Sequence, residues 1–228
     1  RYSTNIFSNS VKINFNHSLN IIDPLLPFLG EKTSNFNSIN YSDKIFMVTS
    51  YPLVYKTVND LGLNVEYFIQ GNIKTTESYK YRPITFNPLD FNQKFGQDFT
   101  INLLNQNQYT IESSTMQKQI YQFNEIISSK HGSFSVSIND YFDITKIDNY
   151  PTLIVKVKNP HTITKLYKNK IKVNRLTKTA SIVNISVHGE DLVKETEFLN
   201  KLCENYIEYD LKTKNEVSTN TISFIDKQ

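Results

Sequence analysis

The densest run of like charge in this chain is KLYKNKIKVNRLTK. It carries Lys165, Lys168, Lys170, Lys172, Arg175 and Lys178, six basic residues with no acid among them. Cations at that density attract a phosphate, an anionic glycan or a lipid head group. The same pattern fits the solvated face of a helix–strand pair, with Leu166, Ile171, Val173 and Leu176 turned inward, and this second reading is favoured. The net charge of the whole chain is only +3. No recognition helix or RNA-binding aromatic motif accompanies the strip, so nucleic acid is not expected as a partner.

The other reactive residue types are dispersed. His17, His131, His161 and His188 stand at no zinc-ligand spacing with one another or with Cys, Asp or Glu. No two of the six glycines lie within five residues, so there is no phosphate-cradling loop. Cys203 falls in the apolar stripe of the last helical segment and reads as a structural thiol. A single cysteine admits no internal disulfide and leaves the redox compartment open. Glu190, Asp191, Glu195 and Glu197 cluster where that segment begins, where they suit the positive end of a helix dipole. General acid–base work needs two carboxylates facing one cleft, which spacing does not show. Tyr79/Tyr81 and Tyr206/Tyr209 could stack on sugar rings, but core and helix packing is the favoured reading. No catalytic, cofactor-binding or metal-binding residue is therefore nominated, and no enzyme or cofactor is expected in these residues.

The elements carrying these residues are legible as short patterns. NIFSNSVKINF (Asn5–Phe15) alternates as a half-buried strand. Ser42 to Gly62 reads as helix, with Ser42 as cap, a kink or restart at Ser50 and Pro52, and Gly62 as stop. VEYFIQG (Val65–Gly71) is a strand. Residues 82–150 break into short alternating runs, an inserted antiparallel β-rich subdomain with 5 basic and 7 acidic residues. TLIVKVK (Thr152–Lys158) is a strand, and Asn159–Pro160 is a cap and first-turn pair for a short helix to Lys168. IKVNRL and ASIVNISV are strands. Gly189 then opens a last helix of about 35–40 residues, long enough to project from its domain. Its stripe includes Leu192, Leu199, Leu202, Cys203, Tyr206 and Ile207.

Hydrophobic residues make up 39% of the chain, enough for a core. No apolar run approaches the roughly 18–20 residues that span a bilayer. IIDPLLPFLG is broken by Pro24 and Pro27, and no signal peptide is visible. The chain starts on Arg1 and stops inside a helical pattern, so a piece of a longer protein is expected. The expected fold class is α+β: a mixed sheet packed with helices, a long projecting C-terminal helix and the β-rich insertion. The expected domains are 1–81 with 151–228, and 82–150.

The order of these elements resembles the extracytoplasmic domain of Wzz-type chain-length determinants. The residues that carry the likeness are Asn159, Pro160, Thr179–Ile182, Leu199, Asn200, Leu202, Tyr206, Lys214, Asn215, Thr221, Phe224 and Ile225. RYSTNIFSNSVKINF and MVTSYPLVYKTVNDLGLNVEYF are similar to the family's first strand and its following helix and strand. The 82–150 stretch is similar to insertions in large Bacteroidetes-type members, which are often fused to an exopolysaccharide tyrosine kinase. The resemblance implies a periplasmic domain of a bacterial inner-membrane protein, held by membrane helices outside these residues. It implies self-association into a ring and regulation of capsular or exopolysaccharide chain length or export, with the polysaccharide or its polymerase and export machinery as partners. It also implies a non-catalytic scaffold here, with a cytoplasmic tyrosine-protein kinase as an open question for the parent. Strands 5–15, 152–158 and 180–187 are expected in one sheet. The alternative is a glycan- or ligand-binding module built on the β-rich region.

Overall fold

The computed structural model describes residues 6–14, 41–71, 74–90, 96–130, 132–143, 152–175 and 182–226. In chain order, β1 (Phe7–Asn14), α1 (Tyr41–Val48) and α2 (Tyr51–Asp60) come first. Next come β2 (Val65–Gln70), β3 (Thr75–Glu77), β4 (Ile84–Asp90), β5 (Gln97–Leu103) and β6 (Gln108–Ser113). These lead to β7 (Met116–Gln122), β8 (Ile126–Ser129), β9 (Gly132–Ile138) and β10 (Leu153–Val157). The chain closes with α3 (Pro160–Lys170), β11 (Lys172–Arg175), β12 (Ile182–Gly189) and α4 (Leu192–Ile225). The class is α+β with a long C-terminal helix, and the chain forms two compact units, 1–61 with 164–228 and 62–163.

In the first unit, β1, β12 and β11 form a sheet in that order, with β1 antiparallel to β12 from Phe7↔Gly189 to Asn14↔Ile182. Val183, Ile185 and Val187 are fully buried on alternate positions of β12, and α4 packs on β1, β12 and α2. Val54 and Val58 of α2 join Phe198, Leu199 and Leu202 of α4 in this core. Burial of each such side chain contributes about 1.5–3 kcal/mol. The α1–α2 break falls where expected: Ser50 is extended, Pro52 sits in the first turn of α2, and Gly62 takes φ +60 beyond its end. Such a φ suits glycine, which has no Cβ to clash. Ser42 lies inside the first turn of α1 rather than before it.

In the second unit, β3-β2-β10-β5-β6-β7 form one sheet and β4-β9-β8 another. Their inner faces share one core. Phe86, Phe99 and Phe134 form a triangle at its centre, with ring centroids 4.6–5.2 Å apart. The Tyr67 hydroxyl accepts the Phe86 N–H at 2.9 Å, satisfying a buried polar tip.

Three expectations are corrected. The described strand pairs are all antiparallel, so the expected mixed sheet is not seen. The strand at 152–158 does not join those at 5–15 and 180–187: β10 pairs with β2 and β5. Alternation of Leu153, Val155 and Val157 fixes which face of the strand is buried, but not which sheet takes it. The two compact units divide near 62 and 163. Finally, Gly189 ends β12, and α4 begins after an Asp191 cap.

Candidate functional site

The basic strip begins on α3. Asn159 Oδ1 accepts the His161 N–H at 2.8 Å, which with Pro160 starts the helix. The buried stripe of α3 is Ile163, Thr164 and Tyr167. Lys165 and Lys168 are exposed, and so is Leu166 at 43%, against its expected inward position. Lys172 is exposed on β11, an edge strand of its sheet, where a charged side chain discourages pairing with another chain. Ile171 and Val173 are half-buried. Arg175 closes β11, while Leu176 and Lys178 lie outside the described residues.

Lys170 separates from the others. Its ammonium lies 3.1 Å from the Glu195 carboxylate, which is 2% exposed, and 5.0 Å from the Tyr167 ring centroid. Tyr167 in turn packs on Phe198 at 4.2 Å between centroids. The pair holds α3 against the start of α4, and a buried carboxylate needs such a partner. Gly189 makes room for it: a Cβ there would lie 2.7 Å from Glu195 Cγ. Lys170 is thus a structural cation, and the strip reduces to Lys165, Lys168 and Lys172 among the described side chains.

The start of α4 is well anchored. Asp191 Oδ1 accepts from the N–H groups of Val193 and Lys194 at 2.9 and 3.0 Å. The Asn9 amide donates to Leu192 O and Thr196 Oγ1, tying β1 to the same turn. Leu199, Leu202 and Tyr206 are buried, but Leu192 and Ile207, expected in the stripe, are exposed. Cys203 is half-buried, and burial with the nearby Glu204 charge pushes its thiol up to about 11, away from nucleophilic character. Tyr206 is pushed up to about 12 by burial and by Asp210. Tyr209 is 40% exposed.

After Tyr206 the helix changes character. Leu211, Val217, Ile222 and Phe224 are 46–63% exposed. Lys214 pairs with Asp210 at 2.6 Å, and Thr213, Ser218 and Thr219 donate to carbonyls one turn back. The side chains of Thr221 and Ile225, which carry part of the resemblance, lie outside the described ones.

In the second unit, Tyr79 is half-buried and its carbonyl accepts from Arg82, whose guanidinium lies 4.3 Å from the Tyr67 ring centroid. Tyr81 is 71% exposed. His161 is exposed and His188 half-buried, while His17 and His131 lie outside the described residues. Among the described residues, no three His, Cys, Asp or Glu side chains are placed to hold a metal, and no helix is long and apolar enough to cross a membrane.

Sequence patterns missed two buried polar residues of α4, Glu195 and Asn205. Glu195 carries a signal, since it stands four positions before Leu199 in the phase of the stripe. No protein-family model matches the chain, and no curated protein matches it.

Proposed function

We propose that this chain is a non-catalytic assembly domain. The protein carrying it would be a bacterial inner-membrane polysaccharide co-polymerase, with this domain facing the periplasm. The observation that carries the reading is the division of α4 at Tyr206. Its first half is locked into the unit-1 core, and its second half presents Leu211, Val217, Ile222 and Phe224 to its surroundings. These side chains fall on two faces of the helix, Leu211 with Ile222 and Val217 with Phe224, and apolar side chains exposed on two faces suit a stem with neighbours on both sides better than a solitary surface helix. The antiparallel pairing of β1 with β12 lends support, because it joins the front and rear segments of the Wzz resemblance in one sheet. The placement of β10 counts heavily against a match over the whole chain, because the strands at 5–15, 152–158 and 180–187 do not share one sheet.

In this reading α4 continues towards a membrane helix, copies of the domain form a ring, and the assembly governs the chain length or export of a surface polysaccharide. A tyrosine-protein kinase in the parent would lie outside these residues. The test is deletion of the parent gene, with complementation by the wild type or by Val217→Asp with Phe224→Asp. The expected outcome is an altered polysaccharide length distribution that the wild type restores and the double variant does not. An unchanged length distribution on deletion defeats the reading.

A further inference from the structure

We propose that a cleft at the β5–β6 and β7–β8 turns binds an uncharged oligosaccharide. The proposal stands on unit 2 alone and does not rest on the stem reading. The cleft is a wide, open depression of about 740 Å³, a volume within the range of small-molecule sites. Residues 105–108 of one turn and Gln122 and Asn124 of the other line it with six carboxamide side chains. Phe123 and Ile138 supply its apolar lining, and no charged side chain lines it.

The backbone beneath these side chains is pinned. Asn105 Oδ1 accepts the N–H groups of Asn107 and Gln108 at 2.8 and 2.9 Å, and its amide donates to Gln108 Oε1. Phe123 N–H donates to Asn107 O at 3.1 Å, joining the two turns. Asn124 takes φ 66, and its N–H donates to Val136 O at 2.8 Å. Asn105 and Gln108 are therefore used within their turn. The carboxamides of Gln106, Asn107, Gln122 and Asn124 make no hydrogen bond to another described residue.

A carboxamide places a donor and an acceptor side by side. Adjacent sugar hydroxyls present the complementary pair, each both donor and acceptor, without charge. The half-buried Phe123 ring, held 5.0 Å from Tyr109, offers an apolar edge to the C–H patches of a sugar. Glu125 accepts the Gln122 N–H at 3.1 Å, and its carboxylate beside the cleft disfavours an anionic ligand.

The test is an NMR titration of the intact chain, reading the side-chain NH2 signals of Asn and Gln. The probes are neutral glucan, mannan, galactan and N-acetylglucosamine oligomers, with uronic-acid oligomers in parallel. At least one neutral oligomer is expected to shift the signals of Gln106, Asn107, Gln122 and Asn124 saturably, with a Kd of about 1 mM or tighter. The exposed double variant Asn107→Ala with Gln122→Ala is expected to weaken that binding at least about tenfold with Tm unchanged. Silence across the neutral panel at about 10 mM, preference for uronic acids, or equal affinity in the double variant overturns the proposal. None of these outcomes bears on the stem reading, whose readout is polysaccharide length in cells.

Discussion

The Asn205 carboxamide of α4 donates to Thr57 Oγ1 of α2 at 3.1 Å, with both residues buried. The same amide donates to Asp60 Oδ2 at 3.0 Å, and Asn205 Oδ1 accepts from Lys56 Nζ at 2.6 Å. Lys56 also lies 3.1 Å from Glu208, whose hydrogen bond, with further help from Asp60, raises its ammonium pKa against the opposing effect of desolvation. Every polar end of the buried amide is thus used, which sets the register of two helices that apolar packing alone would let slide.

Asn205→Ala should lower the stability of unit 1 by about 2–3 kcal/mol, because it leaves a cavity and removes three hydrogen bonds at once. Glu208→Ala, at the exposed end of the network, should cost less than about 1 kcal/mol. Urea denaturation measures both. Equal effects would mean that the buried amide contributes no more than a surface pair.

Gly189→Ala drives a methyl group into Glu195 and should cost about 1–3 kcal/mol. Adding Glu195→Ala removes the collision, so the double variant should be more stable than the sum of the two single losses. Strictly additive thermal melts would show that Gly189 is not there to admit Glu195.

Cys203 should alkylate slowly. With its thiol pushed up to about 11, the thiolate is scarce at pH 8, and burial slows access further. Iodoacetamide labelling of the folded chain should be at least about tenfold slower than in concentrated urea. Equal rates would place the thiol in open solvent.

Stability should fall in alkali. Burial raises the pKa of Tyr67 and Tyr109 above the ordinary tyrosine value, and Tyr206 rises to about 12. Each folded phenol holds its proton more tightly than the unfolded one. The contribution is complete below about pH 10 and is lost as pH rises from there through the folded values. Cys203 adds the same sign, between the ordinary thiol value of 9.0 and about 11. The urea midpoint, followed upward from pH 8, should stay level and then drop. A midpoint that rises above pH 10 contradicts this.

Charge reversal of the basic strip is best made at Lys165, Lys168 and Lys172, leaving Lys170 to its partner Glu195. Each change should alter stability by less than about 0.5 kcal/mol. Weak retention on an immobilised anionic polysaccharide at low salt should disappear in the triple variant. Unchanged retention identifies the strip as solvated surface.

Local signals carried much of the architecture. The pause at Ser50–Pro52, the Asn159–Pro160 start of α3 and the alternation in β1, β2, β10 and β12 were all legible, because each depends on neighbours in sequence. The partners of β10 were not, since Leu153, Val155 and Val157 would bury equally well in either unit's sheet. Leu166, Leu192 and Ile207 are apolar yet exposed, because the faces in contact bury Thr164 on α3 and Glu195 and Asn205 on α4 instead. The carboxamide cleft was invisible for another reason: residues 105–108 and 122–124 each read as an ordinary polar turn until Phe123 N–H joins them through Asn107 O.

The pairing of β2 with β10 brings Val65 opposite Val157, and Lys158 N–H donates to Asn64 O at 2.8 Å. The chain therefore enters and leaves unit 2 through one doorway a single strand-spacing wide. A module with adjoining ends is portable. It can be excised at 64 and 158, closed over by a linker of a few residues, or grafted into another host loop without stretching either side. Evolution has the same freedom as the engineer at such a junction: length and sequence between those two valines can drift while the host sheet and its long helix are left alone.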